Sequence, residues 1–165
     1  MVTSSKAAKK PRFISAGVVA QNRRASFDYN IGETFEAGLA LTGSEVKSLR
    51  EGRASIAEGY AIPDEKGFVL NNITIGRYDS ENPFAARGEK RPRRLLLNER
   101  EIKRLIGIYS TKGVTIVPLR LYFTERGLAK VLLAVATGKQ TVDKRRTIKE
   151  REWQREKQRV MKNGK

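Results

Sequence analysis

The segment that most constrains the fold is YNIGETFEAGLAL, which begins at Tyr29. Its apolar residues at every second position are Phe35, Ala37, Leu39 and Leu41. This period of two predicts a strand with one buried face. Gly32 and Gly38 interrupt the strand and predict bends or bulges of the kind that curve a sheet into a small barrel.

Five other stretches have the composition of short strands: residues 13–20, 54–62, 68–75, 114–123 and 128–138. PDEKG joins two of them and ERG joins the last pair, and both are hairpin turn sequences. Pro118 places its strand at an edge or at a bulge. We therefore predict a mainly β protein with an OB-fold-type antiparallel barrel of about six strands. We prefer a barrel to a sandwich because bend glycines and an inserted helix suit a barrel.

Two helices are expected beside the strands, and the charged tail can supply a third. GSEVKSLREG predicts one or two helical turns with Ser44 as N-cap and Gly52 as the stop. Asn98 and Glu101 have the spacing of a capping box at the start of a second helix. The predicted core stripe of that helix is Ile102, Leu105, Ile106 and Tyr109. These elements divide the chain into a disordered basic arm (1–12), a barrel (13–138) and a basic tail (139–165).

Charge limits the kind of partner. The chain has 34 Lys and Arg against 18 Asp and Glu, a formal net charge of +16. Such an imbalance predicts a polyanionic partner, either nucleic acid or an anionic membrane. No apolar run approaches the roughly 20 residues of a spanning helix. The N-terminus lacks the apolar stretch of a signal peptide, so we expect a cytoplasmic protein.

The chain contains neither cysteine nor histidine. This excludes disulfides, thiolate metal sites, and triads or zinc sites that need an imidazole. Only carboxylate or lysine chemistry remains for an enzyme. Asp28, Glu33, Glu36 and Glu45 could form a metal–carboxylate cluster for phosphodiester cleavage. Their spacing does not require it, and Glu33 and Glu36 point apart on a regular strand. We expect no enzymatic activity, no cofactor and no metal.

Several basic and polar positions are candidates for nucleic-acid contact. Asn22, Arg23 and Arg24 lie in a predicted turn, where the arginines suit phosphates and Asn22 a base or ribose. Glu36 lies on the strand face opposite Phe35; it could accept from a ribose hydroxyl or balance nearby lysines. Lys130 interrupts an apolar strand and must point outward or toward the barrel rim.

The basic run Lys90–Arg94 leads into the leucines 95–97. The run belongs to a long Gly/Pro-rich loop predicted over residues 76–93. It fits either a binding patch or a solvated loop that enters a core strand. Sequence cannot distinguish a buried leucine from one exposed on a binding face.

The tail, DKRRTIKEREWQREKQRVMK from Asp143 to Lys162, has too thin an apolar stripe to pack on a globular core. Trp153 and Val160 share a side of the helix, whereas Ile148 points away. Its charge pairs at helical spacing are each worth only a few tenths of a kcal/mol. We therefore predict a segment that is disordered alone and becomes helical on a polyanion.

Seven motifs together resemble the SsrA-binding protein family, also called small protein B (SmpB). They are NRRASFDY, FEAGLALTGSEVKSLREG, RRLLLNEREI, GVTIVPLRLYF, LAKV, GK..VDKR and IKEREWQREKQRVMK. The match runs from about Ile14 to the C-terminus, and the combination of GSEVKSLR with the tail is highly specific.

The resemblance implies an OB-fold barrel that binds the tRNA-like domain of transfer-messenger RNA and enters stalled ribosomes with it for trans-translation. The family's RNA-binding residues fall on Glu36, Leu96 and Lys130, with Asn22, Arg23 and Arg24 alongside. Its tail positions, implied to reach the decoding centre and the empty mRNA path, fall on Asp143, Lys144, Arg145, Trp153, Val160 and Met161. The implied partners are this RNA, the ribosome and, indirectly through the RNA, elongation factor Tu and alanyl-tRNA synthetase. A monomer without a membrane partner is expected.

Two positions depart from the family pattern. Phe27 stands where members commonly have histidine, which leaves base stacking as the available contact. Val142 stands where members often have histidine or tyrosine, so a stacking role there is weaker or absent. One alternative function is a structural OB-fold ribosomal protein; another is the carboxylate-dependent ribonuclease.

Overall fold

A computed structural model describes residues 13–78, 88–139 and 141–163, and the side chains of residues 145–162 within the last range. The strands are β1 (Gly17–Gln21), β2 (Tyr29–Leu39), β3 (Ala54–Ser55), β4 (Tyr60–Asp64), β5 (Gly67–Asn71), β6 (Thr74–Ile75), β7 (Arg93–Leu96), β8 (Val114–Phe123) and β9 (Ala129–Gly138). The helices are α1 (Ala25–Asp28), α2 (Gly43–Arg50), α3 (Glu99–Tyr109) and α4 (Thr141–Asn163). The predicted basic arm lies outside the described residues.

Six of the strands pair in a closed antiparallel ring. The order is β8–β4–β5–β7–β2–β9, and β9 pairs back with β8. β1 adds to the outer edge of β8, and β3 pairs with β6 apart from the ring. The predicted mainly β, OB-like barrel is therefore confirmed. The described chain has three more strands than expected, because residues 54–62 and 68–75 each break into two and because β7 was not among the six predicted strands.

The core lies inside this ring. Phe35, Ala37 and Leu39 of β2 are buried, as the alternating pattern predicts. Val131 and Leu133 of β9 face them and are fully buried. Burial of each phenylalanine, leucine or valine side chain among them stabilises the fold by about 1.5–3 kcal/mol. Since these strands bury one face, their alternate residues must point out of the barrel.

Pro118 lies at a β-bulge, one of the two predicted placements. Pairing of β8 with β9 shifts register between Pro118 and Arg120. β2 also shifts register against β9 between Ile31 and Thr34, next to Gly32. These irregularities bend the strands into the ring.

The helices differ from expectation in three details. The N-cap of α2 is Thr42, not Ser44, because the Thr42 hydroxyl accepts from the backbone of Glu45. Ile106 of α3 is exposed, so the core contact of that helix centres on Leu105. The four-residue α1, directly after the predicted turn at residues 22–24, was not expected.

The basic run Lys90–Arg94, which leads into β7, contains a buried cation. Arg93 is fully buried and donates to the Glu45 carboxylate at 3.0 Å, while Arg91 donates to the same carboxylate at 2.8 and 2.6 Å. Burial alone would raise the pKa of Glu45, but the hydrogen bonds from Arg91 and Thr42 and the charge of Arg93 hold it below its usual value. At Arg93 and Arg91 the basic run is therefore a structural element that holds α2 against the barrel, not a solvated loop.

Over the part of the chain that the structure describes, no helix combines the length and the apolarity that a bilayer span requires.

Candidate nucleic-acid interface

The outward residues of five strands form one continuous surface, here called the outer face. Its first row is a chain of directly paired residues: Leu96, Gly38, Lys130, Tyr122 and Val18. Its second row is Glu36, Leu132, Arg120 and Gln21. Directly paired residues of antiparallel strands point to the same side of a sheet. The fold therefore brings Glu36, Leu96 and Lys130 together on one surface, although they lie far apart in sequence.

Glu36 is the centre of a charged cluster on this face. Its carboxylate accepts a hydrogen bond from the Lys130 ammonium at 2.8 Å and another from the Tyr122 hydroxyl. The Lys130 hydrogen bond, followed by that of Tyr122, lowers the pKa of Glu36. Burial, followed by the hydrogen bond to Glu36, raises the pKa of Tyr122 to about 12. At neutral pH the cluster thus holds a carboxylate, an ammonium and a protonated phenol in fixed positions.

Leu96 and Gly38 form the apolar end of the first row. The Leu96 side chain is 55% exposed, which is high for a strand leucine. A Cβ at Gly38 would lie 3.1 Å from the Leu96 Cβ. Gly38 therefore leaves room for the exposed Leu96 side chain beside it.

The Asn22 side chain is not on the surface, where a contact with a base or ribose was predicted. Its side chain is buried, donates to Pro118 O at 3.3 Å and accepts from the Ala25 backbone at 3.1 Å. It thereby ties α1 to the β8 bulge. Arg23 and Arg24 next to it are exposed, and Arg24 lies 3.8 Å from Asp28 in a helical pair. Asn22 therefore holds the turn that carries the two exposed arginines.

The four carboxylates considered for a metal cluster lie apart and have separate cationic partners. Asp28 pairs with Arg24 at 3.8 Å and Glu33 with Arg104 at 2.8 Å. Glu36 pairs with Lys130, and Glu45 with Arg91 and Arg93. Within the described ranges, no group of three or more acidic side chains is arranged to hold a metal ion. The ribonuclease hypothesis has no support in this geometry.

The root of the tail lies against α1. The Lys139 ammonium donates to Ser26 O at 2.8 Å, and the Lys139 backbone N–H donates to Asp28 O at 3.2 Å. Farther along α4, the Arg151 guanidinium lies 5.7 Å from the centre of the Phe27 ring. Phe27, the residue that departs from the family pattern, thus makes a cation–π contact with the tail.

Beyond Arg151, the described side chains of α4 are exposed. Trp153, Val160 and Met161 are each about two-thirds exposed, and Arg145 is exposed. The side chains of Val142, Asp143 and Lys144 lie outside the described residues. The predicted disorder of the tail away from its partner stays a prediction, since the structure gives the helical state.

Five residues of the outer face were not singled out from sequence: Val18, Gln21, Arg120, Tyr122 and Leu132. The available signal was the alternation along β8, where Leu121 and Phe123 are buried and their neighbours must point outward. Register against β9 supplies the rest, because it places Tyr122 opposite Lys130. That register depends on the Pro118 bulge, so simple counting does not give it.

Comparison with known proteins identifies the family. The family model described as "SmpB protein" matches residues 19–163. The chain belongs to the SmpB family. An SsrA-binding protein of Maricaulis maris (strain MCS10) is 58% identical over 154 residues, which cover 93% of this chain and 97% of the relative. One from Novosphingobium aromaticivorans is 53% identical over 153 residues, which cover 93% and 95%.

A solved structure extends the similarity to SmpB proteins in three dimensions. It is described as "tmRNA-SmpB: a journey to the center of the bacterial ribosome" and is 44% identical in sequence, with a TM-score of 0.63. The match covers 77% of this chain and 86% of the other. The recognition of the family from sequence motifs is therefore confirmed.

Proposed function

We propose that this SmpB family member binds the tRNA-like domain of transfer-messenger RNA through its outer face and acts with that RNA on stalled ribosomes in trans-translation. The observation that carries the proposal is the convergence of Glu36, Leu96 and Lys130 on one surface. The relatives named SsrA-binding proteins and the tmRNA–SmpB ribosome structure support it.

The outer face has the chemistry that a folded RNA requires. Lys130 supplies positive charge for the phosphate backbone of the RNA. Leu96 supplies an apolar contact for an unstacked base or a ribose. The ionised Glu36 accepts a hydrogen bond from a ribose hydroxyl or a base amino group with its remaining lone pairs. Arg23 and Arg24 at α1 contact phosphates at the edge of this surface. Asn22 takes part indirectly by holding that turn.

The tail has a separate role in this proposal. Arg145, Trp153, Val160 and Met161 are exposed, so they are free to contact ribosomal RNA in the decoding centre and the mRNA path. Asp143 and Lys144 at its root are assigned to the decoding centre. The domain division follows: residues 13–138 bind RNA and residues 139–165 engage the ribosome. Elongation factor Tu and alanyl-tRNA synthetase would meet the chain through the RNA.

In this function the chain makes and breaks no covalent bond. Glu33, Glu36 and Glu45 are each engaged by a cation, and Glu36 by a phenol as well. The pairing lowers the pKa of Glu36 and of Glu45, which makes these two carboxylates poor general acids at neutral pH. The RNA is the reactive partner, and the protein positions it.

The deciding experiment is to sequence the RNA that co-purifies with the chain from bacterial cells. We expect strong enrichment of transfer-messenger RNA over total RNA. A random RNA pool would overturn the proposal. Recovery at one copy per ribosome from unstalled cells would instead identify a structural ribosomal protein.

A second experiment separates the roles of barrel and tail. A chain that ends at Gly138 is expected to keep its affinity for transfer-messenger RNA and to lose tagging of stalled peptides. Lys130→Gln is expected to weaken RNA binding, whereas Lys112→Gln, at an exposed loop lysine, serves as the charge-matched control. Loss of RNA binding on truncation would show that the proposed division is wrong.

A further inference from the structure

The outer face continues past the positions that the family motifs mark, into a groove at β1, β8 and β9. The groove has a volume of about 320 Å³ and is lined by Gly17, Val18, Arg120, Tyr122 and Leu132. Val18 is the direct pairing partner of Tyr122, and Leu132 that of Arg120. The groove therefore has an apolar side next to a single guanidinium.

We propose that this groove is a subsite for one unpaired nucleotide of the bound RNA, with its base on Val18, Leu132 and Tyr122 and its phosphate on Arg120. The proposal rests on the proposed function, because it assumes that RNA lies on the outer face. It adds Val18 of β1 and Arg120 of β8 to the surface that Glu36, Leu96 and Lys130 mark on β2, β7 and β9.

The apolar side of the groove is accessible. Val18 is 49% exposed on the outermost strand, and Leu132 is partly exposed between Glu36 and Arg120. Gly17 has φ 98°, and a Cβ there would meet nothing within 4 Å. The groove is thus open at the Gly17 end, where a base displaced from its stack can enter edge-on.

Arg120 supplies an exposed positive charge beside the groove. In the residues that the structure describes, no hydrogen bond or ion pair involves its guanidinium, whereas Lys130 is engaged by Glu36. Arg120 also borders a second groove, shared with Gln21, Arg23 and Ser26, that leads toward α1. An RNA strand with one phosphate on Arg120 can therefore continue to the exposed Arg23.

These features select an unpaired nucleotide over a duplex. A paired base is stacked and cannot reach a groove beside a β-sheet, whereas an unstacked base can lie on apolar side chains while its phosphate meets an arginine. Charge complementarity points to the same occupant, since the chain carries a net charge of +16 and the groove has no acidic lining residue.

The test compares the full-length chain and its variants on two probes, a ten-nucleotide single-stranded RNA and an RNA duplex with the same number of phosphates. Leu132→Ala should weaken binding of the single strand by about fivefold or more and that of the duplex by less than about twofold. Leu128→Ala, at an exposed leucine in the hairpin turn, is the matched control. Val18→Ala gives a second variant if Leu132→Ala lowers the melting temperature.

The role of the Arg120 charge is tested with the same single-stranded probe. Arg120→Gln should reduce the dependence of log affinity on log salt concentration by about 0.7 for the single strand. Arg126→Gln, at the exposed tip of the hairpin, should not change it. Equal affinities of Leu132→Ala, Val18→Ala and wild type for the single strand would overturn the subsite.

A different result would overturn the proposed function: a wild-type chain that does not select transfer-messenger RNA over other RNAs. The single-strand comparison is made without that RNA, so it decides the subsite in either case.

Discussion

The guanidinium of Arg93 is fully buried and donates to the carboxylate of Glu45 on α2 at 3.0 Å. Removal of one partner leaves an uncompensated buried charge, which typically costs about 3–5 kcal/mol. We expect Glu45→Gln to lower the free energy of unfolding by that amount in urea denaturation. Glu33→Gln, which breaks an exposed pair with Arg104, should cost less than about 1 kcal/mol. Equal effects of the two variants would contradict the structural role of the pair.

The same carboxylate predicts a pH dependence of stability. The pKa of Glu45 is lower in the folded state than its ordinary value of 4.5. The stabilisation by ionised Glu45 is therefore complete above pH 4.5 and is lost as pH falls through the lowered folded-state pKa. The difference in melting temperature between wild type and Glu45→Gln should be largest near neutral pH and shrink below pH 4.5. A difference that stayed constant down to pH 3 would be incompatible with this linkage.

The pKa of Tyr122 should depend on the charge of Glu36. Because burial and the Glu36 carboxylate raise its pKa to about 12, Tyr122 should titrate later than an ordinary tyrosine at 10.0. Glu36→Gln removes the negative charge and should bring the titration closer to 10, although burial keeps it above that value. NMR of the tyrosine ring carbons measures this shift, and Tyr122→Phe assigns the signal. No change in Glu36→Gln would show that the two groups are not coupled.

Gly38→Ala tests the packing of Leu96 on the outer face. The added Cβ would lie 3.1 Å from the Leu96 Cβ, so Leu96 must shift by a few tenths of an ångström. We expect a several-fold loss of affinity for transfer-messenger RNA and a stability change of no more than about 1 kcal/mol. Gly43→Ala, where a Cβ meets nothing within 4 Å, is the matched control. Unchanged affinity would mean that the position of Leu96 does not matter for RNA.

The rate of amide hydrogen exchange should differ along the tail helix α4. Contacts with α1 involve Lys139 and Arg151, whereas the described side chains beyond Arg151 are exposed. Exchange in α4 of the full-length protein should therefore be slower before Arg151 than after it. Arg151→Ala should remove most of this difference. Uniformly fast exchange along α4 in the wild type would contradict docking on α1.

Local patterns in the sequence predicted the barrel well. The alternation at Phe35, Ala37 and Leu39 identified the buried face of β2, and the Asn98–Glu101 spacing identified the start of α3, where the Asn98 N–H donates to the Glu101 carboxylate at 3.0 Å. Each of these features depends on neighbours a few residues away. Sequence periodicity is sufficient for such features because strand and helix geometry repeat over that distance.

Features that depend on distant partners were missed. Arg93 belongs to a basic run that looks solvated, yet the alternation of β7 places it on the buried side with Leu95. Its counter-ion, Glu45, is 48 residues away, so no local pattern predicts the pair. The burial of Asn22 has the same cause, because its partner Pro118 is 96 residues away. The polar or charged character of these residues did not predict their burial, because the fold supplies each with a distant hydrogen-bond partner.

The closed ring of strands also sets the order in which the protein can be made. β9 completes the ring by pairing with both β2 and β8, and it ends at Gly138. Synthesis at about 5–20 residues per second leaves the β9-facing edge of β2 unpaired for roughly 5–20 s. During that interval the nascent chain exposes an open sheet edge of the kind that promotes aggregation. The tail residues follow β9, so each chain has all its barrel strands before its α4 exists.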